Sequence, residues 1–273
     1  MTETISLKEK EISPKELSEY SIQNGPKGMG SIKVTSQNSI NPKIEPEKLK
    51  EDFKRDGFVE VNDFLSEGFA KKCHKFYFND MPDDWWRAAS FPNIDPNSKD
   101  IKYQRLHEDM RETRSNTLKH FDNGSFAYFF HRTTDDHPKE CGCGECDLRR
   151  FFKSDEVLVF LSKLTGIEVS SDSGHFSSWY RKGDFLSAHH DEGNGKVGVV
   201  LDFCKKWNPV FGGNLFMLED DWFTCEKVIT PKFNNLKIFD IPKDKKGVPH
   251  FVSTVLAEDR PDRKRISFGG WFK

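Results

Sequence analysis

Four consecutive residues carry side chains that can bind a metal ion: His189, His190, Asp191 and Glu192. Residues two apart in a strand share a face, so either the first and third or the second and fourth could bind one ion together. His250, which opens a later apolar run, is the best-placed third ligand. Two histidines and one carboxylate form the facial ligand set of non-haem Fe(II) oxygenases, whose open positions accept a cosubstrate and O2. The alternative is that these histidines are surface residues beside the Gly-Asn-Gly turn at 193–195.

Arg265 and Ser267 lie two residues apart near the C-terminus, so they share one face of a predicted strand. A planar guanidinium beside a hydroxyl suits a carboxylate ligand. A molecule that chelates iron at one end and carries a carboxylate at the other would span these groups and the histidines. 2-Oxoglutarate is such a molecule.

A second group of metal-binding residue types occurs earlier in the chain: His137, Cys141, Cys143 and Cys146. Three thiolates and one imidazole could form a tetrahedral, structural Zn(II) site, and the intervening glycines would let the chain fold back on itself. The Cys-x-Cys spacing is tight for a single zinc ion, so a glycine-cysteine turn without metal is the alternative. With no export signal visible, both interpretations are favoured over a disulfide scaffold.

The elements that must position these residues fall into two patterns. Amphipathic stretches predict helices starting near Pro46, after Ser66 and at Asp155, the last ending at Gly166. Isolated strand patterns occur at 58–61 and 124–135, and the charged segment 97–120 is interpreted as a surface helix or lid. Short runs separated by turn residues then indicate a β-sandwich or jelly roll; they lie at 174–180, 197–201, 214–218, 236–239, 250–255 and 265–272.

Composition restricts the class of protein. The 273 residues carry a net charge of −2, which disfavours a nucleic-acid partner, and no apolar stretch is long enough for a membrane span. Residues 1–45 are polar with single apolar residues, so we predict a disordered or loosely ordered tail. Residues 46–273 are predicted to form one domain, with helical support over 46–170 and a jelly-roll core over 171–273. The absence of a basic-then-apolar N-terminus favours a cytoplasmic location.

Five motifs occur in one order over about a hundred residues: WYRKGDFLSAHHD at 179–191, Trp207 with GGNL at 212–215, NLKIF at 235–239, HFVSTVL at 250–256 and RISFGGWF at 265–272. Together they resemble the prolyl 4-hydroxylase-like branch of the 2-oxoglutarate/Fe(II)-dependent dioxygenases. Five ordered motifs are far more specific than any one alone. The resemblance implies a mainly β fold with flanking helices, built on a double-stranded β-helix (jelly-roll, cupin-like) core.

The resemblance also implies a metal ligand set. Its Leu-x-x-His-x-Asp pattern selects His189 over His190, so His189, Asp191 and His250 would hold Fe(II). Halogenases of the superfamily replace the carboxylate ligand with Gly or Ala. The intact Asp191 therefore favours hydroxylation or a related oxidation.

The cosubstrate site follows from the same resemblance. Arg265, assisted by Ser267, would bind the distal carboxylate of 2-oxoglutarate, and Tyr180 would lie near the cosubstrate. Arg260 is closer to the usual spacing after His250, but it precedes Pro261 in a charged loop and lacks the following serine. Arg265 is therefore the preferred residue.

These features predict an oxygenase that uses Fe(II), 2-oxoglutarate and O2. Its substrate would be a prolyl residue of a protein or peptide, an amino acid or a related small molecule, with succinate and CO2 as co-products. The alternative is a non-catalytic jelly-roll module with a zinc-clipped insertion, binding a partner through its tail or through residues 97–120. Retention of every ligand in the iron set argues against that alternative.

Overall fold

The structure is a computed structural model, which describes residues 39–92, 104–105, 111–133, 141–170, 172–241 and 247–273. Its α-helices over these residues are α1 (Lys50–Asp56), α2 (Glu67–Lys75), α3 (Arg111–Asp122), α4 (Gly144–Phe152) and α5 (Asp155–Thr165). The strands of the first half are β1 (Phe58–Val61), β2 (Arg87–Phe91), β3 (Gln104–Arg105) and β4 (Tyr128–Arg132). Those of the second half are β5 (Asp172–Tyr180), β6 (Phe185–His189), β7 (Val197–Asp202), β8 (Leu215–Leu218), β9 (Cys225–Ile229), β10 (Asn235–Asp240), β11 (His250–Val252) and β12 (Arg265–Phe272).

All strand pairs are antiparallel, in the order β1-β10-β7-β12-β5-β4-β6-β11-β8-β9, and β2 joins β4 and β3 at the side. Strand β4 pairs with β5 through His131 and Arg132, and with β6 through Tyr128 and Phe129. It therefore connects the strands β1-β10-β7-β12-β5 to the strands β6-β11-β8-β9. Residues from both groups line one common pocket. This arrangement confirms the predicted double-stranded β-helix with flanking helices.

The two faces of β10 show how the sheet separates the core from the pocket. Leu236 and Ile238 point to one face and join a buried cluster with residues of α1, α2, α4 and α5. Lys237 and Phe239 point to the other face and line the pocket. Successive side chains of a strand alternate between its faces. One face of the sheet can therefore pack against the apolar helix layer while the other lines the pocket.

The helix predicted from Asp155 is confirmed as α5, and it ends at Gly166, whose φ of 72° is left-handed. Ser66 precedes α2 as predicted, although its side chain makes no capping hydrogen bond. The described part of segment 97–120 includes the start of α3, while residues 97–103 and 106–110 lie outside the described residues.

The structure describes residues 39–45, which the sequence analysis assigns to the disordered or loosely ordered tail before Pro46. Ser39 is buried, and Ile40 forms a bridge with Leu65 and donates its N–H to Glu156 at 2.9 Å. The rest of the predicted tail, residues 1–38, lies outside the described residues. The predicted division at residue 170 also does not separate helices from strands, because β1 and β4 extend the sheet from the first half.

A buried carboxylate joins the helix layer to the sheet. Glu145 of α4 accepts hydrogen bonds from Tyr77 Oη (2.7 Å), Thr133 Oγ1 (2.8 Å), Ser177 Oγ of β5 (2.5 Å) and Arg149 Nε (3.0 Å). Burial alone would raise the pKa of Glu145, but the charge of Arg149 and the three hydroxyl donors hold that pKa below its ordinary value. The ionised carboxylate of Glu145 therefore links α4 to Tyr77, to Thr133 and to Ser177 of β5.

Among the described residues, no helix is both long enough and apolar enough to cross a membrane.

We predict that Glu145→Gln lowers the free energy of unfolding by about 3 kcal/mol, because a neutral amide cannot accept from four donors in a buried site. Urea unfolding at pH 7 measures the change. The pKa of Glu145 is lower in the folded state than in the unfolded chain, so the stabilisation is present above about pH 4.3. It is lost as the pH falls through the folded-state pKa.

The matched control is Glu226→Gln, which changes an exposed carboxylate on β9. We expect this variant to unfold at the same urea concentration as the parent. Equal unfolding midpoints for the parent and Glu145→Gln at pH 7 would show that the charge of the buried carboxylate does not stabilise the folded protein.

Candidate metal centre and cosubstrate pocket

The predicted metal ligands come together across two adjacent strands. His189 ends β6 and pairs directly with His250, the first residue of β11, so that their ring centroids are 4.4 Å apart. The carboxylate of Asp191, two residues beyond β6, places its oxygens 3.7 Å from His189 Nε2 and 3.8 Å from His250 Nε2. One ligand atom from each residue lies within 4.8 Å of the others.

Backbone carbonyls orient both imidazole rings. His189 Nδ1 is 3.0 Å from the carbonyl oxygen of Ser187, and His250 Nδ1 is 2.9 Å from that of Val248. A carbonyl oxygen only accepts, so each Nδ1 carries the proton and each Nε2 presents its lone pair towards Asp191. Burial, reinforced by the neighbouring His250, lowers the pKa of His189 to about 4. The neutral imidazole is the form that binds a metal.

The donor set fits a divalent transition metal that prefers nitrogen and oxygen ligands. Two Nε2 atoms and one carboxylate would hold the ion at the wall of the pocket that these residues line. The alternative pair, His190 and Glu192, lies outside this group. His190 Nδ1 is instead 3.7 Å from Glu192, and its ring meets the edge of Trp222.

Arg265 and Ser267 line the same pocket as the histidines. The buried guanidinium donates through Nε to the carbonyl of Gly213 (3.2 Å) and through Nη1 to Ser267 Oγ (2.9 Å). Ser267 Oγ is in turn 2.9 Å from Ser178 Oγ. Arg260 is exposed in a turn that it forms with Arg263, so it does not reach the pocket.

The Gly-Gly motif explains how Arg265 is held. Gly212 and Gly213 have φ values of 71° and 65°, and a Cβ on Gly212 would lie 2.0 Å from the carbonyl oxygen of Thr254. Only glycine fits such a close approach in the left-handed region. Trp207 Nε1 donates to the Gly212 carbonyl at 2.8 Å, which leaves the Gly213 carbonyl for Arg265.

Lys237 is a pocket residue that the sequence analysis missed. Its buried ammonium is bonded to the carboxylate of Asp202, which is also buried and lies 3.7 Å from Arg265 Nη1. The pocket wall therefore holds two cations against one carboxylate. A signal was present in the sequence, because Leu236 and Ile238 alternate with Lys237 and would send it to the opposite face.

Tyr180, predicted to lie near the cosubstrate, lines the pocket. Its ring stacks on Phe130 with the centroids 5.1 Å apart, and the Arg265 guanidinium carbon lies 5.0 Å from the centre of the tyrosine ring. Burial raises the pKa of Tyr180 above its ordinary value. The side chain is therefore a neutral phenol at physiological pH.

Exposed aromatic rings surround one side of the metal ligands. The ring of Phe126 is 5.7 Å from that of His189, and it also contacts Phe91 and Tyr128. Phe91 and Phe126 are 41% and 40% exposed, so their faces remain available to another molecule. We call these three rings, Phe91, Phe126 and Tyr128, the aromatic rim. The strand order that brings β2 and β4 beside β6 could not be inferred from sequence pattern.

The cysteine cluster lies apart from this pocket, at the start of α4. The sulfur atoms of Cys141, Cys143 and Cys146 lie within 4.8 Å of one another. His137, the fourth residue of the predicted zinc set, lies outside the described residues.

Comparison with known proteins agrees with this geometry. Residues 175–273 match the family described as the 2OG-Fe(II) oxygenase superfamily. No curated protein sequence matches the chain. Among solved structures, the chain is similar to a Trichoplax adhaerens prolyl hydroxylase in complex with a hypoxia inducible factor peptide fragment (TM-score 0.52, 16% identity, covering 83% of this chain and 90% of that one). It is also similar to a 2OG-Fe(II) oxygenase family oxidoreductase from Burkholderia pseudomallei (TM-score 0.51, 11% identity, covering 84% and 91%).

At these identities the structural matches establish the fold, while the family match covers every strand from His175 onward. Residues 175–273 are thus identified as a 2OG-Fe(II) oxygenase domain.

Proposed function

We propose that the protein hydroxylates an unactivated C–H bond of a prolyl residue, an amino acid or a related small molecule, with succinate and CO2 as co-products. The observation that carries this proposal is that the facial ligand set and the Arg265 guanidinium open into one pocket. A metal ion and a distal carboxylate can therefore be bridged by a single cosubstrate.

The proposed roles follow from the atoms that face the pocket. His189, Asp191 and His250 would hold Fe(II), while Arg265 and Ser267 would bind the distal carboxylate of 2-oxoglutarate. Bound Fe(II) with 2-oxoglutarate supplies O2 activation coupled to oxidative decarboxylation. The protein positions these groups before reaction, because its imidazoles are fixed by carbonyls and its guanidinium by Gly213.

The walls of the pocket would exclude water from the reaction. Phe130, Tyr180, Phe239 and Trp271 supply apolar surface around the polar groups. A dry pocket strengthens the attraction between Arg265 and a carboxylate. It also protects a reactive oxidant from solvent.

The aromatic rim supports a prolyl substrate. Pyrrolidine rings pack on aromatic faces, which is how several protein modules bind proline-containing segments. The contact between Phe126 and His189 would place such a ring next to the metal. The similar Trichoplax adhaerens enzyme was solved with a peptide fragment, and we extend that substrate class to this chain as part of the proposal.

We predict that His189→Ala abolishes cosubstrate chelation, because it removes one of three metal ligands. Anaerobic titration of the full chain with Fe(II) and 2-oxoglutarate should give a visible charge-transfer band in the parent and none in the variant. His190→Ala is the matched control, since it removes the adjacent imidazole on the other side of the strand. This variant should keep the band. A band that is lost in His190→Ala and kept in His189→Ala would refute the ligand assignment.

We predict that Arg265→Met weakens 2-oxoglutarate binding by about 30-fold, equivalent to about 2 kcal/mol, through loss of a charge-assisted hydrogen bond. Anaerobic calorimetry on the Fe(II)-loaded protein measures the affinity, and a separate Fe(II) titration checks that the pocket is intact. Arg260→Met, which removes an exposed guanidinium five residues earlier, should bind as the parent does. Equal affinities for all proteins would remove Arg265 from the cosubstrate site.

We predict that Phe126→Ala raises KM for a proline-containing peptide about fivefold, because one aromatic contact contributes about 1 kcal/mol. The affinity for 2-oxoglutarate should not change. Phe121→Ala is the control, since Phe121 is similarly exposed but packs on Phe185. Succinate release measured over a range of peptide concentrations gives KM for the peptide, and anaerobic calorimetry gives the affinity for 2-oxoglutarate. An effect of equal size from Phe121 would show that the rim has no specific part in substrate binding.

A further inference from the structure

Three cysteines converge at the N-terminal end of α4, on residues that the oxygenase pocket does not use. The sulfur atoms of Cys141, Cys143 and Cys146 all lie within 4.8 Å of one another. A tetrahedral zinc site with Zn–S bonds of about 2.3 Å separates its sulfurs by about 3.8 Å. The thiols are therefore already close to the separation that one zinc ion requires.

The backbone around the last two cysteines is shaped for a thiolate. Cys143 is the N-cap of α4, and its sulfur accepts a hydrogen bond from the backbone N–H of Cys146 at 3.5 Å. Cys146 lies in the first turn of this helix, where the macrodipole favours negative charge. A backbone N–H directed at the Cys143 sulfur suits a bound thiolate, which is the form that binds metal.

Packing fixes this geometry from two sides. A Cβ on Gly144 would lie 2.5 Å from the ring of Phe76, so the chain between the cysteines rests directly on an aromatic face. Arg150 Nη1 donates to the carbonyl oxygen of Cys141 at 3.0 Å, which holds the first cysteine against the helix. Cys143 and Cys146 are buried and Cys141 is half-buried.

We propose that Cys141, Cys143 and Cys146 form a structural Zn(II) site, completed by a fourth donor. Soft thiolates select zinc over the hard cations that oxygen ligands prefer, and binding releases the thiol protons to solvent. This site is separate from the iron ligand set, which contains no sulfur. It does not depend on the proposed hydroxylase activity.

Glu145 connects the cysteine cluster to the sheet, so the proposed zinc ion would stabilise this connection. Glu145 lies between Cys143 and Cys146 in the chain and accepts a hydrogen bond from Ser177 Oγ of β5 at 2.5 Å. The next residue of that strand, Ser178, is hydrogen-bonded to Ser267, which receives a bond from Arg265. Zinc would therefore fix the start of the helix that supports the strand behind the cosubstrate site.

The test measures zinc in the full chain, purified without chelators, by plasma mass spectrometry. We expect about one zinc per chain in the parent. Cys143→Ser and Cys146→Ser should lose this zinc, while Cys225→Ser, an exposed cysteine on β9, should keep it. His189→Ala should also keep it, which distinguishes the cysteine site from zinc bound in place of iron.

A second measurement uses the parent alone, in case the cysteine variants fold poorly. Reduced, metal-free protein is titrated with Zn(II) against a chromophoric chelator, and thermal unfolding is followed with and without zinc. Tight binding and a higher Tm with zinc are expected. Co(II) in place of Zn(II) should give thiolate charge-transfer absorption that persists in His189→Ala.

Two outcomes would overturn the proposal. One is a parent protein that contains no zinc and binds none when it is added in the reduced state. The other is zinc that disappears in His189→Ala but remains in Cys143→Ser, since that pattern assigns the ion to the iron ligands. A native disulfide between Cys143 and Cys146, seen as an intact mass lower by two hydrogens, would belong to the first outcome when the reduced protein also binds no zinc.

Discussion

The buried charge of Arg265 is the constraint on which the pocket depends. A guanidinium in the interior is tolerated only when its donors are bonded and its charge is balanced. Gly213, Ser267 and the nearby Asp202 meet that requirement. The left-handed glycines and the Trp207 hydrogen bond serve this requirement, because they hold the Gly213 carbonyl at the position where Arg265 needs an acceptor.

The charges of the pocket also determine what it can bind. Arg265 and Lys237 outnumber Asp202, so the inner end is net positive without a ligand. At the other end, Fe(II) held by two neutral imidazoles and one carboxylate would also be net positive. A dianion with a carboxylate at each end matches both, whereas a monocarboxylate would leave one end uncompensated. Electrostatic complementarity of this kind selects partners, and here it favours a dicarboxylate such as 2-oxoglutarate.

The sequence predicts the residues of this site better than it predicts their neighbours. His189 and Asp191 lie two residues apart, as do Arg265 and Ser267, so local periodicity is enough to predict that each pair shares one face. The Asp202–Lys237 pair could not be predicted, because it depends on the register that sets Asn235 opposite Asp202. Cross-strand register between distant segments is not encoded in local pattern. The strand β4 was visible as an aromatic run, but its partners β5 and β6 were not.

Strand β4 connects the aromatic rim to the strands that carry the proposed metal and cosubstrate residues. The residues proposed to hold iron and cosubstrate all come from the second half of the chain, whereas β4 brings in Tyr128 of the aromatic rim and Phe130 of the pocket wall. The strand is fixed through His131, whose Nδ1 is 2.9 Å from the buried Asp184, itself bonded to Arg114 of α3. Anchoring β4 to the Gly-Asp turn of the oxygenase motif sets the distance between rim and metal. Under the proposed roles, substitutions in the first half of the chain would change substrate preference and leave the proposed metal and cosubstrate residues in place.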